Sequence, residues 1–219
     1  MELETRSRGE LVSKLEQVTL RGSSTQPYLG ARIDIVTLDP AILSPTQRYV
    51  LTDELKKIEQ VRWGLLKDHN QDILRLDGYV KCTYPEQQAG TKMISNGVSV
   101  GTINEMIPKK VIDVLPPIIE EYFSPRGEIH LLVCDGQHRC YLAYTMGTLI
   151  NVAYVRGIHW GYPYYAYPLP NGWDDVEVRD DIPEGYIKKF HVAKEHKRLY
   201  RNFNSQFENI GDSRPYAGQ

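Results

Sequence analysis

His130-Leu131-Leu132-Val133-Cys134-Asp135-Gly136-Gln137-His138-Arg139 is the stretch that decides the reading of this chain. An apolar run over 129–134 enters a turn that carries an acid, a glycine, an amide, an imidazole and a guanidinium. A helix is expected over 139–146, with Gly147 standing where a helix would stop. Strand, polar turn and helix N-terminus together make an anion site. First-turn amides lack partners inside the helix, and the helix dipole favours negative charge there. Gly136 permits a positive φ or a close backbone approach. Arg139 brings a planar fork suited to phosphate or carboxylate. The plainer alternative is that Asp135 merely caps the helix and Arg139 pairs with it.

The flanking segments supply a scaffold for this turn. Leu11, Leu15 and Val18 recur at helical spacing and predict an amphipathic helix over 9–20, followed by a Gly/Ser/Pro-rich linker over 21–30. Residues 32–38 read as a strand ending at Pro40. A helix is expected over 52–66, with Thr52 as its cap, Asp53 and Glu54 in its first turn, and Leu55, Ile58, Val61 and Leu65 as its apolar stripe. Residues 68–108 read as a surface insertion, with a strand over 79–83 and turn chemistry over 90–101. Pro116 and Pro117 exclude a continuous helix through 112–122 and favour a strand from Pro117. Pro125-Arg126-Gly127 then turns that strand back, so that 118–122 and 129–134 pair as a hairpin. A last apolar strand is expected over 149–155.

The composition changes beyond Val155. Residues 159–173 interleave tyrosines and tryptophans with prolines and glycines. This stretch either stacks a nucleobase or closes over a substrate, or it is a loop pinned to the core by its tyrosines. Residues 174–184 are acidic and 188–201 basic. Much of 186–207 is expected as a helix with Leu199, Phe203 and Phe207 on one face, and 213–219 as frayed. Pairing between the acidic and basic blocks is preferred over a phosphate-tracking surface, because the neighbouring acids would repel nucleic acid.

At 219 residues, the chain suits one domain, or one domain with a sizeable appendage. Its 41% hydrophobic and 25% charged residues are those of an ordinary globular protein. A net charge of −2 gives no overall drive towards nucleic acid. Cys82, Cys134 and Cys140 have neither zinc-site spacing nor an even count, so no disulfide framework or metal knuckle is expected. No apolar run of membrane-spanning length occurs, residues 1–9 do not open a signal peptide, and a cytoplasmic location is expected.

Asp135-Gly136-Gln137-His138-Arg139, with Ala143 and Gly147 behind it, resembles the Asp-Gly-x-His-Arg box of the ParB/sulfiredoxin-like superfamily. Further features recur in order: the strand and proline step Ile33-Asp34-Ile35-Val36-Thr37-Leu38-Asp39-Pro40, the step Ser44-Pro45-Thr46-Gln47, the helix over 52–66, the Pro-Pro-Ile-Ile stretch at 116–119 and the strand over 149–155. The resemblance spans about residues 32–158. It implies an α/β fold with a small mixed sheet of the ParB/sulfiredoxin-like type, here carrying a C-terminal helical extension. The organisation expected is an N-terminal helix and linker over 1–30, the box domain over 31–158 with its insertion near 68–110, and a Tyr-rich, acidic and basic region over 159–219. That superfamily includes DNA-partition proteins that bind and hydrolyse CTP, nucleases, sulfiredoxins, free-serine kinases and DNA-modification regulators.

From the residues, the backbone amides after Gly136, with Gln137, His138 and Arg139, are candidate phosphate or nucleotide ligands. His138 is also a candidate to move a proton near neutrality. Asp135 is a candidate catalytic residue and metal ligand, since a carboxylate plus phosphate oxygens commonly holds Mg²⁺. The resemblance places phosphate binding on His138 and Arg139, and metal binding or active-site positioning on Asp135. Two departures matter. Gln137 stands where sulfiredoxins have their cysteine, and Cys134 and Cys140 read as small buried hydrophobes, so sulfiredoxin chemistry is disfavoured. Gln47 stands near the position where free-serine kinases have a glutamate, and an amide can position a substrate but not act as a base. The base then has to be Asp135, Glu54 or a residue of the acidic segment, or there is no kinase activity.

The function expected is binding of a nucleotide (ATP, ADP or CTP) with Mg²⁺, as a kinase of a small hydroxylated metabolite or as a nucleotide hydrolase. The alternatives are a DNA-linked module, either a nuclease or a nucleotide-gated regulator, and a degenerate, non-catalytic member that acts through protein partners. No membrane partner is expected, and oligomeric state is left open.

Overall fold

The computed structural model describes residues 2–85, 109–186, 188–208 and 210. The expected turn chemistry over 90–101 and the fraying over 213–219 lie outside these residues. Strand β1 (Glu2–Arg6) opens the chain, and α1 (Arg8–Glu16) follows on a capping box in which Ser7 and Glu10 exchange hydrogen bonds. The helix expected over 9–20 therefore stops sooner, and β2 (Thr19–Leu20) replaces its last turn. Next come β3 (Arg32–Leu38), β4 (Leu43–Ser44), β5 (Tyr49–Leu51) and α2 (Thr52–His69). Thr52 is not the cap of α2. Leu51 holds that place without a side-chain cap, and its amide finds an acceptor elsewhere. Asn70, at φ +53, ends the helix.

After α2 come β6 (Tyr79–Pro85), β7 (Lys109–Val114), β8 (Ile118–Phe123) and β9 (Ile129–Asp135). Then follow α3 (Gln137–Thr145), β10 (Ile150–Arg156), β11 (Glu177–Arg179) and β12 (Arg201–Asn202). Gly147 and Thr148 close α3 with bonds from their amides to Tyr144 O and Ala143 O, the Schellman arrangement that a glycine at φ +59 permits.

The central sheet runs in the order β3-β10-β8-β9-β4 and is mixed. β10 is antiparallel to β3 and parallel to β8, β8 and β9 form the expected hairpin, and β4 lies parallel to β9 at the edge. A second, antiparallel sheet orders β1-β6-β7. Two short pairs, β5 with β11 and β2 with β12, tie the C-terminal region to earlier chain.

Both faces of the central sheet are covered, which explains its near-continuous apolar strands. Side chains alternate across it: Ile118, Leu132 and Ala153 face a core built with Leu11, Leu15, Tyr28 and Phe203. Ile119, Val133 and Val152 face the opposite core, with Leu65, Cys140 and Ala143. Each buried Leu, Ile or Val side chain among them contributes roughly 1.5–3 kcal/mol through burial. Ile73, Leu74, Leu76, Val80 and Cys82 are also in the second core, so the region expected as surface insertion from 68 onward contributes to the interior before and within β6.

The segment expected as one helix over 186–207 consists instead of 3₁₀ turns at His196–Leu199 and Phe203–Ser205, flanking β12. Leu199, Phe203 and Phe207 are buried as their spacing implied, and Arg201, in β12 between the two turns, is buried as well. Arg201 Nε and Nη2 donate to the two carboxylate oxygens of Glu120 at 2.9 Å each, and Tyr28 Oη donates to Glu120 at 2.6 Å. Its remaining donors serve Leu199 O and Tyr162 O. With Arg201 and Glu120 both almost fully buried, this pair clamps linker, central strand and C-terminal segment together.

Candidate functional site

The box is aimed by a bulge. Ile119 pairs with Val133 but Ile118 pairs with Asp135, so Cys134 is an extra residue in β9 just before the turn. Gly136 then takes φ +78 as the N-cap of α3. A Cβ there would also lie 3.0 Å from Pro117 Cα and 2.9 Å from Arg139 Nη2, so only glycine fits. Gly136 O accepts from both the Arg139 and Cys140 amides at 3.0 Å. Helix geometry leaves the Gln137 and His138 amides without intrahelical acceptors.

Gln137 and His138 are among the residues that line a cleft of about 400 Å³. One wall is a face of α2, where Glu54, Ile58 and Val61 follow at helical spacing. Val114 and Leu115 of β7 and the chain after it, the box residues and Lys188 of the C-terminal segment also line it. The cleft is where an anion at the box would sit.

Asp135 borders the cleft and does not cap α3, since no side-chain cap bond is made there. Its carboxylate lies 3.7 Å from Arg139 Nη2. Arg139 is more committed than its sequence suggested. The guanidinium is largely buried, and Nη1 donates to Leu115 O, so part of the fork is spent inside the protein. Burial pulls its pKa down and Asp135 opposes this.

Gln137 is a clamp and not a phosphate donor. Its Oε1 accepts from the Thr46 and Gln47 amides at 3.0 and 2.9 Å, and its Nε2 donates to Gln47 O at 2.5 Å. With its oxygen accepting twice, its nitrogen donating to the same backbone and the residue 2% exposed, the side chain is committed to holding residues 46–47. Gln47 itself borders the cleft, positioned through its backbone by this clamp.

His138 Nε2 accepts from the Leu51 amide at 3.1 Å, which puts the proton of the neutral ring on Nδ1. Burial and the neighbouring Lys188 push its pKa down to about 4, against the opposing pull of Glu54 and Asp135. The ring is therefore neutral at pH 7, and the proton transfer near neutrality expected of it does not fit the ligand-free site. An Nδ1–H donor remains.

Cys140 and Cys134 are buried. Burial pushes the Cys140 thiol up to about 12 and raises Cys134 as well, so neither is an activated thiolate.

Within the Tyr-rich stretch, the central tyrosines are structural pins. Tyr164 and Tyr165 are buried, and both hydroxyls accept from Lys189 Nζ, at 3.1 and 2.6 Å. Tyr164 Oη in turn donates to Cys134 O at 2.8 Å, beneath the box. The ion pairs described for the acidic and basic blocks run elsewhere than between the two. Arg179 pairs with Glu177 and Arg198 with Glu195, each within its own block, while Arg201 pairs with Glu120 of the central sheet.

A family profile described as the ParB CE domain matches residues 10–100 and 96–177. The chain belongs to the ParB CE domain family. No curated protein and no solved structure matches it. The family match takes in the box, α2, the central sheet and the Tyr-rich stretch, but ends before Lys188. Two cleft residues had no strong signal in the sequence. Glu54 was named only as one of several carboxylates that could replace Gln47 as base, though its spacing to Ile58 and Val61 marks the face that meets the cleft. Lys188 was one cation among several in a basic run. Only the tertiary fold of this ParB CE domain protein separates it from its neighbours.

Proposed function

We propose that this ParB CE domain protein binds the phosphate groups of a nucleotide in the cleft at the start of α3 and transfers a phosphoryl group to a small hydroxylated molecule. The observation that carries this is the convergence on one cleft of helix-start amides, Arg139, Lys188, and the carboxylates of Glu54 and Asp135. Backbone amides of Gln137 and His138, His138 Nδ1–H and the positive charge of Arg139 are suited to phosphate oxygens. Glu54, and not Gln47, is the carboxylate suited to accept a hydroxyl proton, and no acid of 174–184 borders the cleft. Positioning and fixed charge would supply most of the catalysis.

Among the described residues no cluster of three or more metal-ligating side chains occurs. This donor set still suits Mg²⁺, which is commonly held by one or two carboxylates plus nucleotide phosphates. Asp135 is the residue that would hold it, and bound Mg²⁺ would neutralise charge on the transferring group.

Calorimetric titration with ATP, ADP and CTP, with and without Mg²⁺, tests binding. Transfer of labelled γ-phosphate to a panel of hydroxylated metabolites tests the reaction. Saturable binding and transfer lost in Glu54→Gln support the proposal; binding with no transfer or hydrolysis rejects the catalytic half. A DNA-linked role is the second possibility, favoured by one observation: exposed Lys194, Lys197 and Arg198 share a turn whose described ion pair stays within the basic block. Submicromolar, steeply salt-dependent DNA binding lost on reversing those three charges would support that role instead.

A further inference from the structure

We propose that Lys188 is a phosphate-contacting cation of this cleft, supplied by the chain beyond the family match and held in place by the box itself. The proposal deepens the nucleotide-phosphate function of the same site and rests on it.

Lys188 borders the cleft together with Asp135, His138 and Arg139. Two independent ties fix its backbone. First, the Arg48 amide donates to Lys188 O at 3.0 Å. Arg48 directly follows Gln47, whose amide and carbonyl are both held by the Gln137 side chain of the box. Second, the adjacent Lys189 is 4% exposed and donates to the Tyr164 and Tyr165 hydroxyls, and Tyr164 donates to Cys134 O in the strand that enters the box. One tie runs through the clamp residue and the other through the strand below it, so the position of Lys188 is built from the box on both sides.

The cleft has use for this charge. One edge of Arg139 is engaged by Leu115 O, and Lys57, also at the cleft, donates to Glu54 at 2.7 Å. The cleft is also lined by the apolar Ile58, Val61 and Leu115, so a cation and an anion meeting there do so in a medium less polar than bulk water, where the attraction is stronger. The downward push that Lys188 exerts on His138 agrees with an ammonium lying near that ring. The ligand implied is a phosphate or diphosphate group, either as part of a nucleotide or free.

The test is calorimetric titration of wild type, Lys188→Gln and Lys188→Arg with MgATP and, separately, with inorganic pyrophosphate. Thermal unfolding confirms that each variant is folded. Lys188→Gln should weaken both ligands by about tenfold or more, with arginine restoring part of the loss. A loss confined to pyrophosphate would still support the contact and assign it to free phosphate. Wild-type affinity in a folded Lys188→Gln variant overturns the proposal while the nucleotide function stands. Absence of binding by wild type overturns both. NMR titration of ligand-free protein gives a second readout, in which Lys188→Gln should raise the His138 pKa. An unchanged pKa would place the ammonium away from the cleft and overturn the proposal on its own.

Discussion

Acidification should weaken this protein through His138 and His191 before its carboxylates titrate, and His138→Gln should remove the His138 share of that effect. The folded state holds the His138 pKa near 4 against an ordinary value of 6.5, through burial and Lys188. Below pH 6.5 the unfolded chain takes up a proton that the folded chain refuses. Stability is therefore complete above 6.5, falls as the pH drops towards 4, and is fully lost for this group below 4. At about 1.4 kcal/mol per pKa unit, and allowing for partial solvent screening, the loss comes to about 2–3 kcal/mol. Glutamine keeps an acceptor for the Leu51 amide but carries no titratable group, so its stability should be flatter over this window. His191, held low by burial, His196 and Lys189, loses stability in the same direction, so the informative quantity is the difference between variant and wild type. Asp34 and Asp72, held low by hydrogen bonds from Arg156 and Arg62, lose their contributions only as pH falls below the ordinary carboxylate range. Urea unfolding at several pH values between about 7 and 4.5 measures the slopes. Equal acid slopes in wild type and His138→Gln would refute the placement of this ring in a buried, cation-flanked site.

Three further substitutions test the framework. Arg201→Met should cost about 3–5 kcal/mol in urea unfolding, because it leaves the Glu120 carboxylate buried without its partner. Replacing both partners, as Arg201→Met with Glu120→Leu, should recover part of that loss. Gly136→Ala should cost about 2–4 kcal/mol by the same assay, from its left-handed backbone and the contacts a Cβ makes with Pro117 and Arg139. Nucleotide affinity should fall with it. Gly78→Ala should lower the Tm by at least about 5 °C in calorimetry, since its Cβ would fall 2.0 Å from Arg6 O where β1 crosses the chain.

The parts of this molecule legible in its sequence are those in which a local pattern and the tertiary fold agree. Alternation and proline placement gave the β8–β9 hairpin, β3 and β10. The polar turn with Gly147 gave α3. The spacing of Leu55, Ile58, Val61 and Leu65 gave α2. The C-terminal segment was misleading because Leu199, Phe203 and Phe207 have helical spacing whether a helix or successive 3₁₀ turns carries them. The segment is instead held by contacts to residues far apart in sequence, among them the pair of Arg201 with Glu120 and the bonds of Lys189 to Tyr164 and Tyr165.

The candidate site divides in the same way. Asp135 to Arg139 stood out by residue type. Their division of labour did not, because it depends on neighbours the sequence does not place together. Gln137 spends its amide on Thr46 and Gln47, His138 is neutralised by burial, and Arg139 gives one edge to Leu115.

The measurement that bears most directly on the central claim is calorimetric titration of ATP, ADP and CTP, each with Mg²⁺, into wild type and Arg139→Ala. Wild type should bind at least one of them saturably, one to one. Arg139→Ala, shown to be folded by thermal unfolding, should lose about 1.5–3 kcal/mol of that binding, the range for hydrogen bonds to a charged group. No saturable binding of any nucleotide by wild type, or unchanged affinity in the folded Arg139→Ala variant, would contradict a nucleotide-phosphate site at the start of α3.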